Sequence, residues 1–152
     1  MIKLEAAGYP SWGGAWGDEG KCEIIQIFIS HDKSEIKYIQ FVYVENEKVV
    51  LPKRFGLVTG SSVDTVDLNH PSEFITWVSG SFSDSTSALT SITLGTNQGT
   101  YGPFGVKQNN EFHFRMGNRR TFAGFHGTHS ASTGILSIGV YVKLPIIVNR
   151  GL

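Results

Sequence analysis

FAGFHGTHSASTGILSIGV, residues 122–140, sets apolar side chains at Phe122, Phe125, Ile135, Ile138 and Val140 around a run of small polar residues. As apolar positions alone it reads ΦxxΦ, a gap, then ΦxxΦxΦ. The same figure occurs twice upstream, as Ile24, Ile27, Ile36, Ile39 and Phe41, and as Ile75, Val78, Leu89, Ile92 and Leu94. The gaps are similar in length and all polar: FISHDKSE, SGSFSDSTSA and HGTHSASTG. A repeat of this kind fixes architecture before any motif is interpreted. Each unit reads as a β-hairpin with a hydroxyl-rich tip, and Ile39, Ile92 and Ile138 are expected at equivalent core positions of three sheets.

A second mark follows the first two units: PKRFG (Pro52 to Gly56) and GPFG (Gly102 to Gly105). Nothing similar follows the third. The N-terminus supplies PSWGG, Pro10 to Gly14, so the missing piece of the last unit is expected at the start of the chain. An N-terminal strand beside the last hairpin would close three equivalent sheets around one core and shield strand edges that otherwise template aggregation. Composition agrees with an all-β chain: 18 glycines among 152 residues, few alanines, and many β-branched and aromatic residues. No long stretch keeps a helical apolar period without a glycine, proline or hydroxyl cluster breaking it.

The 13 basic and 13 acidic residues cancel and form no block of like charge, which removes the electrostatic footprint expected of a nucleic-acid or anionic-membrane binder. The single cysteine, Cys22, reads as a buried structural thiol, and no internal disulfide can form. No cationic stretch followed by an apolar core opens the chain and no long apolar run occurs, so a single domain over residues 1–152 in the cytoplasm is expected.

The pieces WGGAWGDEG, YGPFG, FAGFHGTHS and SIGVYV stand in the order and spacing of the plant jacalin-related lectins of mannose-binding type, which the chain resembles over essentially its whole length. In QIFISH, YGPFG and GFHGT it is most similar to members that act in resistance to viruses. The resemblance implies a β-prism I of three four-stranded Greek-key sheets with pseudo-three-fold symmetry. It also implies a non-enzymatic recognition protein in plant defence, without cofactor or metal. Its expected partner is a viral or host protein, a weakly bound carbohydrate, or both, and a homo-oligomer is compatible. The alternative is an ordinary mannose/glucose-specific lectin.

Family members hold a sugar between a glycine loop, WGGxGG, and a hairpin tip, GxxxD. Carried over, the loop gives Gly14, Trp16 and Gly17, with Gly17 at the place whose N–H faces the sugar and Trp16 replacing a glycine. Trp16 either closes that space, offers a sugar ring an apolar face, or is structural. The tip gives Thr133, Gly134, Ile135 and Leu136, and Leu136 stands where the family has its aspartate. By the internal repeat the corresponding positions are Lys37 and Thr90, so no vertex keeps the carboxylate. Two charge-assisted bonds of about 1.5–3 kcal/mol each would be missing from a site whose millimolar affinity amounts to only about 4 kcal/mol. Free hexoses are therefore expected to bind more weakly than about 10 mM.

Other chemistry reads as structural. Asp32, Glu35 and Asp84 fit solvated turns. His113, His126 and His129 lack the converging ligands of a zinc site. No GxSxG elbow occurs, Asp18 and Glu19 would face opposite ways on a strand, and GSSVD (Gly60 to Asp64) matches GxxxD by spacing alone. Arg115, Arg119 and Arg120 read as a solvated turn, and the C-terminal LPIIVNRGL as packing along the prism or forming a dimer contact.

Overall fold

The computed structural model describes residues 1–21, 23–50, 55–56 and 59–144. Cys22, most of PKRFG and most of LPIIVNRGL lie outside the described residues. The strands are β1 (Ile2–Lys3), β2 (Ala7–Gly8), β3 (Gly14–Gly17), β4 (Ile24–His31), β5 (Ile36–Glu45), β6 (Lys48–Val50) and β7 (Phe55–Gly56). They continue as β8 (Ser62–Asp67), β9 (Ile75–Phe82), β10 (Leu89–Thr96), β11 (Thr100–Gly105), β12 (Asn110–Arg115), β13 (Phe122–Ser130) and β14 (Gly134–Val142). No helix occurs among the described residues.

Three antiparallel sheets result. The first has the order β6-β5-β4-β8 with β7 also on β5, the second β11-β10-β9-β12, and the third β1-β14-β13-β3 with β2 also on β14. Each is four strands wide, because β6 and β7 share one outer place and β1 and β2 share another. The N-terminus thus supplies both outer strands of the third sheet, as the repeat requires.

The i, i+3 spacing of the apolar figure has a structural cause. Between Ile24 and Ile27, Ile75 and Val78, and Phe122 and Phe125, the ladder carries a register shift that adds a residue to one strand. A second shift adds Lys37 on β5, Thr90 on β10 and Leu136 on β14, each opposite no partner. A bulge returns residues three apart to one face of a strand, where simple alternation would set them on opposite faces. Every residue of the figure is consequently in the core: Ile39, Ile92 and Ile138 are at most 1 % exposed. Where sheets one and three meet, Phe41 stacks on Phe125 with centroids 4.5 Å apart. Tyr43, fully buried, donates to the Asp18 carboxylate at 2.7 Å, and burial pushes its phenol above the usual range.

The same bulges correct one reading. The counterpart of the glycine ending PKRFG and GPFG is Gly8, not the glycines of PSWGG. Gly56, Gly105 and Gly8 all have positive φ (110°, 81° and 94°). A Cβ on them would sit 2.2, 2.2 and 2.5 Å from the carbonyl oxygens of Lys37, Thr90 and Leu136. Only glycine allows the outer strand that close to the bulged carbonyl. Gly8 carries no proline–aromatic signature ahead of it, so the sequence pattern pointed past it.

Candidate functional site

Strands β5, β10 and β14 run together at the centre, so the three hairpin tips converge on one end of the prism. Glu35 accepts from the Thr86 hydroxyl at 3.4 Å, joining the first two tips. The Tyr9 hydroxyl donates to the Ser83 carbonyl at 3.5 Å, and the Gly56 N–H donates to His129 Nδ1 at 3.1 Å, which ties the third sheet to both neighbours.

The polar residues of the tips are turn-builders. Asp32 accepts the N–H groups of Ser34 (2.8 Å) and Glu35 (3.0 Å). Ser83 does the same for Ser85 (3.2 Å) and Thr86 (3.1 Å), and Ser130 takes the N–H of Thr133 at 3.0 Å. One oxygen at the same place in each tip satisfies the backbone that the turn would leave unpaired. The Ser34 N–H, with help from Glu35 N–H, the Ser34 hydroxyl and Lys37, holds the Asp32 carboxyl down to about 2.

The three bulged positions share a backbone and differ in filling. Lys37 lies 2.5 Å from Glu35 and 3.4 Å from Asp32, and the hydrogen bond it donates to the Glu35 carboxylate raises its pKa. Thr90 is buried in a hydroxyl network with Ser81 at 2.7 Å. Leu136 is 5 % exposed and turns over the glycine loop, its Cδ1 2.8 Å from where a Gly13 Cβ would lie. The bulge aims the side chain at the loop, and there it presents an apolar plug.

The predicted site residues divide accordingly. Gly14, paired with His129, stands beside the tip with Thr133, Gly134 and Leu136. Ile135 is fully buried and its side chain belongs to the core. Gly17 pairs with His126 at the far end of β3, roughly 10 Å from Gly14 at strand rise. Trp16 is 6 % exposed and sits in the core, so it is a structural tryptophan and no stacking wall. Alternation explains this: Ala15 and Gly17 face outward, and Trp16 faces in. The aromatic that the sequence reading missed is Trp12, 54 % exposed and stacked on Tyr9 with centroids 5.1 Å apart. Its signal was its place ahead of Gly13 and Gly14, in the loop rather than in β3.

His126 donates through Nε2 to the Leu4 carbonyl at 2.8 Å, and burial lowers its pKa. Among the described residues no group of three or more His, Cys, Asp or Glu is placed to hold a metal ion. Asp64 of GSSVD pairs with His31 at 2.5 Å.

A jacalin-like lectin domain matches residues 4–141. The chain belongs to the jacalin-like lectin family. It is 41 % identical to Protein RESTRICTED TEV MOVEMENT 1 of Arabidopsis thaliana over 83 % of its own length and 76 % of that protein's. It is 36 % identical to Jacalin-related lectin 2 of Arabidopsis thaliana, over 88 % and 80 % of the two chains. A mannose-specific jacalin-related lectin from Morus nigra, solved with mannose, superposes with TM-score 0.81 at 26 % identity, covering 94 % of both chains. Family and fold are thus those of lectins, and the β-prism expectation holds. No helix among the described residues is long and apolar enough to cross a membrane.

Proposed function

We propose that this jacalin-like domain, one unit over residues 1–152, is a non-enzymatic recognition module of plant defence against viruses. Its partner is a viral or host protein met in the cytoplasm, and free monosaccharides bind only weakly. The observation that carries this reading is Leu136. The bulge that should offer a carboxylate to a sugar offers a methyl group packed on Gly13. Lys37 and Thr90 are spent on neighbours at the other two vertices. The relative named for restricting TEV movement supports the defence role.

The exposed Trp12, stacked on half-buried Tyr9 beside the small hydroxyl tip Thr128–Thr133, suits protein contact: a rigid aromatic next to adaptable polar groups. The same stack favours the ordinary mannose/glucose-binding reading only if a sugar ring lies on it. Calorimetric titration with mannose, glucose and galactose separates the two, with dissociation constants weaker than about 10 mM expected. Submillimolar binding of any of them overturns the proposal. In plant cells, Trp12→Ala and a two-residue deletion within 130–132 should abolish restriction of virus accumulation while the purified variants still fold.

A further inference from the structure

The outer face of the second sheet departs from the three-fold repeat in a way the core does not require. Trp77 of β9 lies across β10 at Gly95, where an added Cβ would come within 1.9 Å of the indole Nε1. The indole also stacks against His113 of β12, with centroids 5.5 Å apart and planes at 28°. The registers make Gln26, Val42 and Thr65 the counterparts of Trp77, Gly95 and His113 in the first sheet. That sheet closes its part of the core without such a platform.

Beside the indole is a cleft of about 380 Å³ lined by Thr76, Trp77, His113, Arg115, Gly117 and Asn118. No carboxylate lines it. The Arg115 and Asn118 side chains are exposed and take no hydrogen bond or ion pair among the described residues. Arg120, of the same RMGNRRT turn, is by contrast engaged, with its guanidinium 4.5 Å from the Phe74 ring and donating to the Pro71 carbonyl. The turn therefore spends one arginine on structure and leaves another facing the cleft.

We propose that this cleft is a binding site for a uronate-bearing oligosaccharide. A sugar ring presents an apolar C–H face that packs on the half-buried indole, whose negative π face attracts C–H groups, and its hydroxyls fit the Thr76 hydroxyl and the Asn118 amide. Its carboxylate meets the guanidinium of Arg115, which binds planar anions through two parallel N–H groups. A neutral sugar would leave that cation unmatched. The site is separate from the hairpin vertices: Trp77 is five residues along β9 from Phe82 at the tip, roughly 17 Å. It does not depend on the vertex reading.

The probe is trigalacturonate, titrated into the whole protein and followed by calorimetry and by amide shifts in ¹⁵N spectra. A dissociation constant of about 0.1–1 mM is expected, with shifts confined to residues 76–77, 94–96 and 113–118. Arg115→Gln, at an exposed position that leaves the fold intact, should weaken binding at least about tenfold, and Trp77→Ala should abolish it. Should Trp77→Ala fail to fold, Arg115→Gln decides. Maltotriose should not bind here, and raising salt from about 50 to about 500 mM should weaken the acidic trimer severalfold. No binding to the wild type at about 10 mM, undiminished binding by Arg115→Gln, equal binding of maltotriose, or shifts confined to the hairpin tips would each overturn the proposal.

Discussion

Replacing Leu136 with aspartate asks whether the vertex lacks only its carboxylate. Leu136 is 5 % exposed and its Cδ1 lies against the Gly13 backbone, so the exchange removes nearly all the burial of one leucine, about 1.5–3 kcal/mol. For a chain of this size each kcal/mol shifts the melting midpoint by about 2–4 °C, giving a fall of about 3–12 °C. Against that, each charge-assisted bond to a sugar hydroxyl is worth about 1.5–3 kcal/mol, and about 1.4 kcal/mol is tenfold in affinity. One bond would bring methyl mannoside from weaker than about 10 mM to about 1 mM, and two to about 0.1 mM. The assay pairs calorimetry with thermal melts on wild type, Leu136→Asp and Leu136→Asn; the asparagine variant should lose the same stability and regain less affinity. An aspartate variant that melts like wild type would show that Leu136 is not packed on the loop. One that folds yet still binds more weakly than about 10 mM would show that the vertex lacks more than an acceptor.

Deleting residues 1–14 removes β1, β2 and the first half of the glycine loop together, and should lower the melting midpoint by more than about 10 °C in one cooperative transition. An unchanged midpoint would refute the closure of the third sheet. In acid, Asp32 is held down to about 2; burial would raise Glu73, but hydrogen bonds from Thr96, Tyr101 and the Asn69 N–H hold it below its usual 4.5. Both stabilise the fold fully above that usual value and lose their contribution as pH falls toward 2, so melts between pH 5 and 2 should slope downward and Asp32→Asn should flatten part of the slope. Gly95→Ala should displace the indole, read as a shifted Trp77 indole ¹⁵N signal, and should weaken trigalacturonate binding alongside Trp77→Ala.

The apolar figure was readable because bulges recur at the same place in each hairpin, leaving Ile24 to Ile27 and Ile135 to Ile138 at a three-residue spacing that a plain strand does not give and that is too short-lived here for a helix. Hydroxyl-rich tips were readable as turns for the reason they are turns, since Asp32, Ser83 and Ser130 bond their own backbone. Gly8 and Trp12 were missed because their roles depend on what approaches them from across the fold. Gly8 meets the Leu136 carbonyl and the Phe82 ring, neither near it in sequence. Trp12 and Trp16 look alike in WGGAWG, and only the start of β3 between them decides which one turns inward. The Trp77–Gly95–His113 arrangement joins three strands and leaves no local pattern.

Because Ile2 faces Val142 across the third sheet, β1 is made well before the strand it pairs with, β14, and waits for it. The first two hairpins can pair while synthesis continues and β3 can join β13 once that strand is made, but β1 and β2 find their partner only when β14 has emerged. That closure spans nearly the whole chain, and contacts of such long sequence separation form late and slowly. Until then the outer edge of β14 is open, and a growing chain in this state is open to pairing with the wrong strand. Of the three hairpins, the third is thus the one whose edge stays open longest, until β1 and β2 return to cover it.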